Sequence, residues 1–456
     1  MTAHHPLTSA PIFPTIWRLS VPNMFAMVAT ALVSIAETSY VGKLGLTPLA
    51  GMALVFPLVM LQQMLSAGSM GGGISSAISR AIGAGNTVKA NALVWHAVII
   101  SLTLGLCLSL IILLWGRSIF QLIGGQGDAL EQALIYANVA FIGSLSIWLT
   151  NAFASAIRGS GNMKTPSVTL LAVAIAQVCL GGVLGLGLGP IPSFGMAGVA
   201  LGQVLAFTFG AIYLFVYLRS SKSRVHLSFT ATVHRGYFME ILKVGGIASI
   251  SSLQTVLTIL ILTRIVAGFG EEALAGYGIG TRLEFLLIPI TFAIGVACVP
   301  MVGMAMGAGL VKRARQVAWT GAGLSAAIVG LIGAVVACFP DQWSRMFTTN
   351  EHVIGYAQSY FLWVGPSYAF FAFGLCLYFA SQGAGKLVGP VLAGTLRLVM
   401  VAVGGVILVR QGADAASMFA LISVAMLCYG VVTALFSLFA AFNLDWSPER
   451  QGDRKS

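Results

Sequence analysis

Twelve long apolar runs, interrupted only by glycine, proline and isolated charges, constrain this chain more than any other feature. They lie at 14–41, 47–80, 90–116, 130–157, 165–188 and 195–218 in the first half, and at 237–267, 272–306, 316–339, 352–381, 388–409 and 415–443 in the second. A bilayer core takes about 20 apolar residues wound as a helix. The runs therefore predict an all-α integral membrane protein with twelve transmembrane helices. Composition leads to the same place: 58% of the 456 residues are hydrophobic and 8% are charged, whereas a water-facing fold carries about 25% charge. A soluble domain is excluded. So are collagen, because the 54 Gly follow no three-residue period, and a disordered chain, because the apolar content is too high.

Charge placement orients the spans. The N-terminus, even-numbered loops and C-terminus hold Arg18, Arg80, Lys89, Arg158, Lys164, Arg219, Lys222, Arg224, Arg235, Lys243, Lys312, Arg313, Arg315, Lys386, Arg450, Arg454 and Lys455, which is 17 of the 24 basic residues. The odd loops hold Lys43, Arg117, Arg264, Arg345 and Arg410, together with most of the acids. Basic loops stay on the cytoplasmic side, so both termini are expected there, in a multi-pass plasma membrane protein (the inner membrane of a bacterium). The net charge of +11 sets topology and touches anionic lipid, the expected partner; nucleic acid is not. The N-terminal MTAHHPLTSAPIFP lacks the pattern of a signal peptide, so the first helix is expected to be retained. The six cysteines all fall in apolar stretches without CxxC spacing and read as free thiols, with no metal site and no disulfide frame.

The two halves repeat each other. VGKLGLTPLAG at 41–51 returns as AGFGEEALAGYG at 267–278, IGAGNTVKA at 82–90 as MGAGLVKRA at 306–314, and RGSGNMKTP at 158–166 as QGAGKLVGP at 382–390. The offset is 225 residues for the first pair and 224 for the others. Six helices per repeat is an even number, so the repeats are parallel, with a cavity expected between two bundles. The chain divides into an N-lobe, 1–225, and a C-lobe, 226–456, joined by the basic loop 219–236. Such architecture belongs mainly to transporters that alternate access.

With VGKLG and LAG after the first helix, IGAGN after the second, RGSGN after the fourth, GMAGVALGQ at 195–203 and YGIGTRLEFLLIP at 277–289, the chain resembles the multidrug and toxic-compound extrusion (MATE) family over essentially its whole length. The resemblance implies a V-shaped, two-lobed fold of twelve helices. It also implies export of large, often cationic organic compounds in exchange for H+ or Na+, with no cofactor and as an expected monomer.

Two acids lie well inside helices, Glu37 and Glu284, and an ionisable group in a membrane segment is a functional candidate. Glu37 follows Pro22 by fifteen residues. Family members are similar there, with a first-helix proline that can kink the helix and, fifteen residues on, an acid (usually Asp) that takes the coupling ion. Glu37 is thus the candidate for cation or proton coupling. The alternative is that it snorkels to water or pairs with Lys43. Where relatives with a sodium site carry an Asn-x-x-x-Asp pattern in helix 5 and a Thr in helix 6, this chain has Gln177, Gly181 and Gln203. The second carboxylate is missing, so H+ is expected over Na+. Gln177 and Gln203 either support Glu37 or simply link helices. Asn151 in helix 4 either faces the N-lobe cavity as support for the site or bonds a neighbouring helix. In the C-lobe, the family's helix-7 and helix-10 acids are replaced by Gln254 or Thr255 and by an apolar stretch around Phe371. Arg282, Glu284 and Arg397 complete the intramembrane charges; Glu284 is expected to bridge Arg397 as a structural ion pair, with a proton relay as the alternative.

No HExxH, GxSxG or paired intramembrane carboxylates occur, so an enzyme is not expected. The runner-up is a lipid-linked oligosaccharide flippase of related architecture. It would need a cationic lining in both lobes, and the N-lobe offers none.

Overall fold

The computed structural model describes residues 6–187, 189–228 and 232–441. Arg450, Arg454 and Lys455, which weighed in the charge count, lie outside the described residues, as do both ends of the chain. Among the described residues eleven helices are long and apolar enough to cross a membrane, and two bent helices taken as one span make a twelfth. In chain order the spans are span 1 (Ile12–Leu44), span 2 (Leu46–Gly83), span 3 (Thr87–Leu122), span 4 (Gly127–Ile142 and Ser144–Gly159), span 5 (Lys164–Leu186) and span 6 (Gly195–Arg219). They continue as span 7 (Arg235–Ala267), span 8 (Glu271–Gly307), span 9 (Val311–Cys338), span 10 (Glu351–Ala384), span 11 (Val388–Arg410) and span 12 (Ala415–Phe439). All twelve expected runs are present, and no strand occurs among the described residues.

Two breaks in helix regularity near the first-half site residues are not evident in the sequence. Span 4 bends by 48° at Gly143, where an added Cβ would lie 2.2 Å from the Val204 side chain of span 6. Span 2 contains a π-helical stretch, Met64–Met70, a distortion that re-aims side chains and often occurs at functional sites. Span 1 stays helical through Pro22.

The chain forms two compact units. One takes Val21–Ile82 and the described residues of Asn86–Gly246; the other takes those of Met1–Ser20, Gly83–Gly85 and Ile247–Ser456. This differs from a cut at residue 225, because spans 1 and 7 each begin in one unit and end in the other. The divisions fall at Ser20–Val21, beside Pro22, and at Gly246–Ile247. In the basic joining segment, Val225 and Leu227 are buried in an apolar cluster with Leu214, Leu218 and Ile241.

The repeat extends to backbone detail. Gly45 and Gly270 precede spans 2 and 8 at φ 126° and 107°; Gly85 and Gly309 stand at 73° and 75°, Gly161 and Gly385 at 86° and 73°. Only glycine takes these left-handed values without strain, so the repeated motifs mark turns. Close contacts repeat too. A Cβ on Gly51 would meet the backbone of Ala129 and Ala133 at 3.0 and 2.9 Å, and one on Gly276 would meet that of Val353 and Ala357 at 3.0 Å each. Spans 2 and 4 in one unit pack as spans 8 and 10 do in the other. Gly51→Ala and Gly276→Ala are each expected to destabilise the protein by about 1–3 kcal/mol through overpacking. Thermal melting of the purified variants checks this; one neutral and one damaging substitution would break the equivalence.

Candidate functional site

Glu37 lies 25 residues beyond the start of span 1, yet it does not reach water: it is 5% exposed. It accepts a hydrogen bond of 2.8 Å from Gln177 Nε2 of span 5. Among the described residues neither Lys43 nor any other base forms an ion pair with it. A carboxylate buried without a counter-charge is costly, and a bound proton or cation removes the cost. The helices around it are drawn together by glycine. A Cβ on Gly202 of span 6 would lie 2.3 Å from the Gly181 nitrogen, and one on Gly198 would lie 2.3 Å from the Leu184 oxygen. Such small-residue crossings let backbones touch, and this one brings Gln177 and Gln203 to the same crossing of spans 5 and 6.

Gln203 is also buried, but its bond comes from the Tyr136 hydroxyl of span 4, at 3.1 Å. Tyr136 and Tyr40 both lie within the field of the Glu37 carboxylate. Neither tyrosine was expected. Tyr40 follows Glu37 by three residues, so it sits on the same helix face, and that spacing was its signal in the sequence. Its hydroxyl is buried without a hydrogen-bond partner and lies 2.6 Å from where a Cβ on Gly181 would stand. The place of the missing second carboxylate is therefore filled by a phenol, and the ring sits in an apolar cluster with Val41, Tyr136, Phe141 and Val199. Among the described residues no group of three or more His, Cys, Asp or Glu side chains is arranged to hold a metal ion.

Asn151 does not join this set. It donates to Gln63 Oε1 at 3.2 Å and to Ser66 Oγ at 2.8 Å. Ser66 lies in the π-helical stretch of span 2, and Gln62 beside it donates to Ser144 at 2.9 Å. Asn151 thus takes the interhelical role.

The expected bridge between Glu284 and Arg397 is not formed. Glu284 Oε1 accepts from the Tyr360 hydroxyl and, at 3.5 Å, from that of Tyr368. Arg397 lies over the rings of Phe371 and Tyr429 at 5.2 and 5.5 Å. Arg282 points elsewhere and stacks on Phe347 at 4.8 Å. Hydroxyl donors and aromatic faces have outcompeted direct charge contact. Gln254 donates to Thr395 at 2.7 Å, a helix-linking role.

A family profile described as MatE matches residues 22–183 and 248–407 of this chain. The chain is 24% identical to a FAD transporter of Shewanella oneidensis over 84% of each protein. It is 26% identical to a probable multidrug resistance protein, YoeA, of Bacillus subtilis, over 85% of this chain and 86% of that protein. Its fold is similar to that of a MOP superfamily transporter from Pyrococcus furiosus, with a TM-score of 0.89, 24% identity, and coverage of 97% of this chain and 98% of the other.

Proposed function

Because the chain belongs to the multidrug and toxic-compound extrusion family of multi-pass membrane transporters, we propose that it exports organic compounds, cationic ones foremost, in antiport with H+, with Glu37 as the group that exchanges the coupling proton. The observation that supports this is a single carboxyl, buried, held by Gln177 and lacking any basic partner. Ionised, it attracts an organic cation; protonated, it releases one, so proton and cargo exclude each other at one group. Na+ is the poorer fit, since it favours several oxygen ligands and Gly181 with Tyr40 supplies no second carboxylate. The transporter works by alternating access in the bacterial inner membrane, with both termini cytoplasmic, as a monomer among lipids and without a cofactor. A pyrophosphate-linked cargo is less well matched, because Arg282 and Arg397 stack on separate rings and make no common cradle.

The test is efflux in proteoliposomes loaded with ethidium, under an imposed pH gradient or an imposed Na+ gradient. One-for-one exchange under one pH unit, worth about 1.4 kcal/mol, is expected to sustain an approximately tenfold dye gradient, and Na+ alone none. Movement driven only by Na+ would overturn proton coupling. If neither gradient moves the dye, the cation-export reading fails, and flavin adenine dinucleotide, named for the Shewanella relative, is the next cargo to load.

A further inference from the structure

Glu284 of span 8 and Arg397 of span 11 belong to one unit, and each lies well inside its helix. At 1.5 Å per residue, Glu284 stands about 20 Å from the start of span 8 and Arg397 about 14 Å from the start of span 11. Opposite charges in a low-dielectric setting attract strongly and tend to close into contact. These two do not. Their nearest N···O approach exceeds 4.0 Å, although each acts electrostatically on the other. The reason is visible on both sides. The Tyr360 and Tyr368 hydroxyls hold Glu284 back. The rings of Phe371 and Tyr429 hold the guanidinium by its faces, which leaves its in-plane N–H groups unused, and the Nε is buried with no partner. Both charged side chains remain partly exposed.

We propose that the Glu284–Arg397 gap is a second ligand site, specific for zwitterionic organic molecules. A ligand carboxylate takes the in-plane N–H groups of Arg397, a charge-assisted geometry for which guanidinium is suited. A ligand ammonium takes Glu284. The Tyr360 and Tyr368 hydroxyls position Glu284, the rings of Phe371 and Tyr429 position Arg397, and the partly exposed Phe371 adds contact with an aromatic ligand body. A singly charged molecule satisfies one end and leaves the other charge without a ligand partner, so discrimination follows from the two opposite charges. This site shares no residue with Glu37, and its cargo class differs from the organic cations proposed above.

Three probes with one fluorophore separate the possibilities: Nε-dansyl-lysine, which is zwitterionic, dansylcadaverine, which carries only an ammonium, and dansylaminohexanoic acid, which carries only a carboxylate. Their binding to the full chain in nanodiscs is measured by equilibrium dialysis, with no ion gradient and with Glu37→Gln as the common background, so neither coupled transport nor cation binding at Glu37 enters the outcome. Dansyl-lysine is expected to bind about tenfold more tightly than either other probe, a difference of about 1.4 kcal/mol. Arg397→Gln and Glu284→Gln are each expected to remove that preference, and Arg282→Gln to keep it. Equal binding of the three probes by the Glu37→Gln background protein would overturn the proposal, even if a further variant failed to fold. So would a folded Arg397→Gln protein that still prefers the zwitterion.

Discussion

Glu37→Gln is expected to abolish pH-driven efflux while leaving the protein folded and extractable. Gln has the same length as Glu and keeps an oxygen for Gln177 to donate to, so the 2.8 Å link survives the change. What disappears is the exchangeable proton and the negative charge that draws a cation. No second acid stands beside it to take over, because the position that carries one in sodium-site relatives is Gly181 here. The loss should therefore be near complete, at least about a hundredfold in initial rate, equivalent to about 2.7 kcal/mol in the barrier to exchange. Lys43→Gln is the matched comparison. Since Lys43 makes no ion pair with Glu37, its removal should leave the rate within about twofold. Stopped-flow dye efflux under a fixed pH step measures both. Retained proton-driven transport in Glu37→Gln would remove Glu37 from the mechanism and return it to a helix-linking role.

The second large effect concerns folding. Gly198→Ala and Gly202→Ala place a methyl group 2.3 Å from backbone atoms of Leu184 and Gly181. Backbone cannot rotate out of the way as a side chain can, so spans 5 and 6 must separate. Overpacking of this kind costs about 3 kcal/mol or more. The same separation would pull Gln177 away from Glu37, so transport should fall together with stability. Gly323→Ala and Gly355→Ala provide the opposite sign. Their Cβ atoms meet nothing within 4 Å, and replacing a helical glycine by alanine is expected to stabilise by about 0.5–1 kcal/mol. Melting temperature in detergent, with monodispersity on a sizing column, reads all four. Similar behaviour across the two pairs would mean that the crossing of spans 5 and 6 is not the tight contact described.

These residues show where sequence reading succeeds. The spans were legible because a bilayer demands a fixed apolar length, and the repeat because positive-φ glycine leaves the same letters at the same offset. Gln177 and Gln203 were legible as candidate neighbours of Glu37 only through their places in a known pattern, and the fold gives the bond to Gln177 alone. The bend in span 4 was hidden, since it depends on a Val204 side chain arriving from a span 61 residues further on. The two readings of Asn151 could not be separated in the sequence for a similar reason: its partner Ser66 is aimed by a π-helical stretch that no letter of MLSAGSM announces. The Glu284–Arg397 bridge failed because counting charges sees attraction but not the competitors, two hydroxyls and two rings brought in from other spans. Tyr40 went unread although it stands three residues after Glu37, because its role follows from Gly181 being empty of a side chain, and that meaning exists only once spans 1 and 5 are side by side.

The exchange of helix ends between the units has a consequence for how the chain can be divided. Ile16, fully buried, comes from the first half of the sequence but belongs to the unit built mainly from the second. In that unit Arg313 fastens the segment before it by donating to the Leu7 and Ala10 carbonyls. Ile241 and Glu240 come from the second half and complete the other unit, where Glu240 pairs with Lys89 at 2.7 Å. A gene cut at the midpoint therefore encodes two incomplete products. Each would carry a terminal strap with no cradle and a cradle with no strap, and reassembly from separate halves would require a reciprocal trade of both.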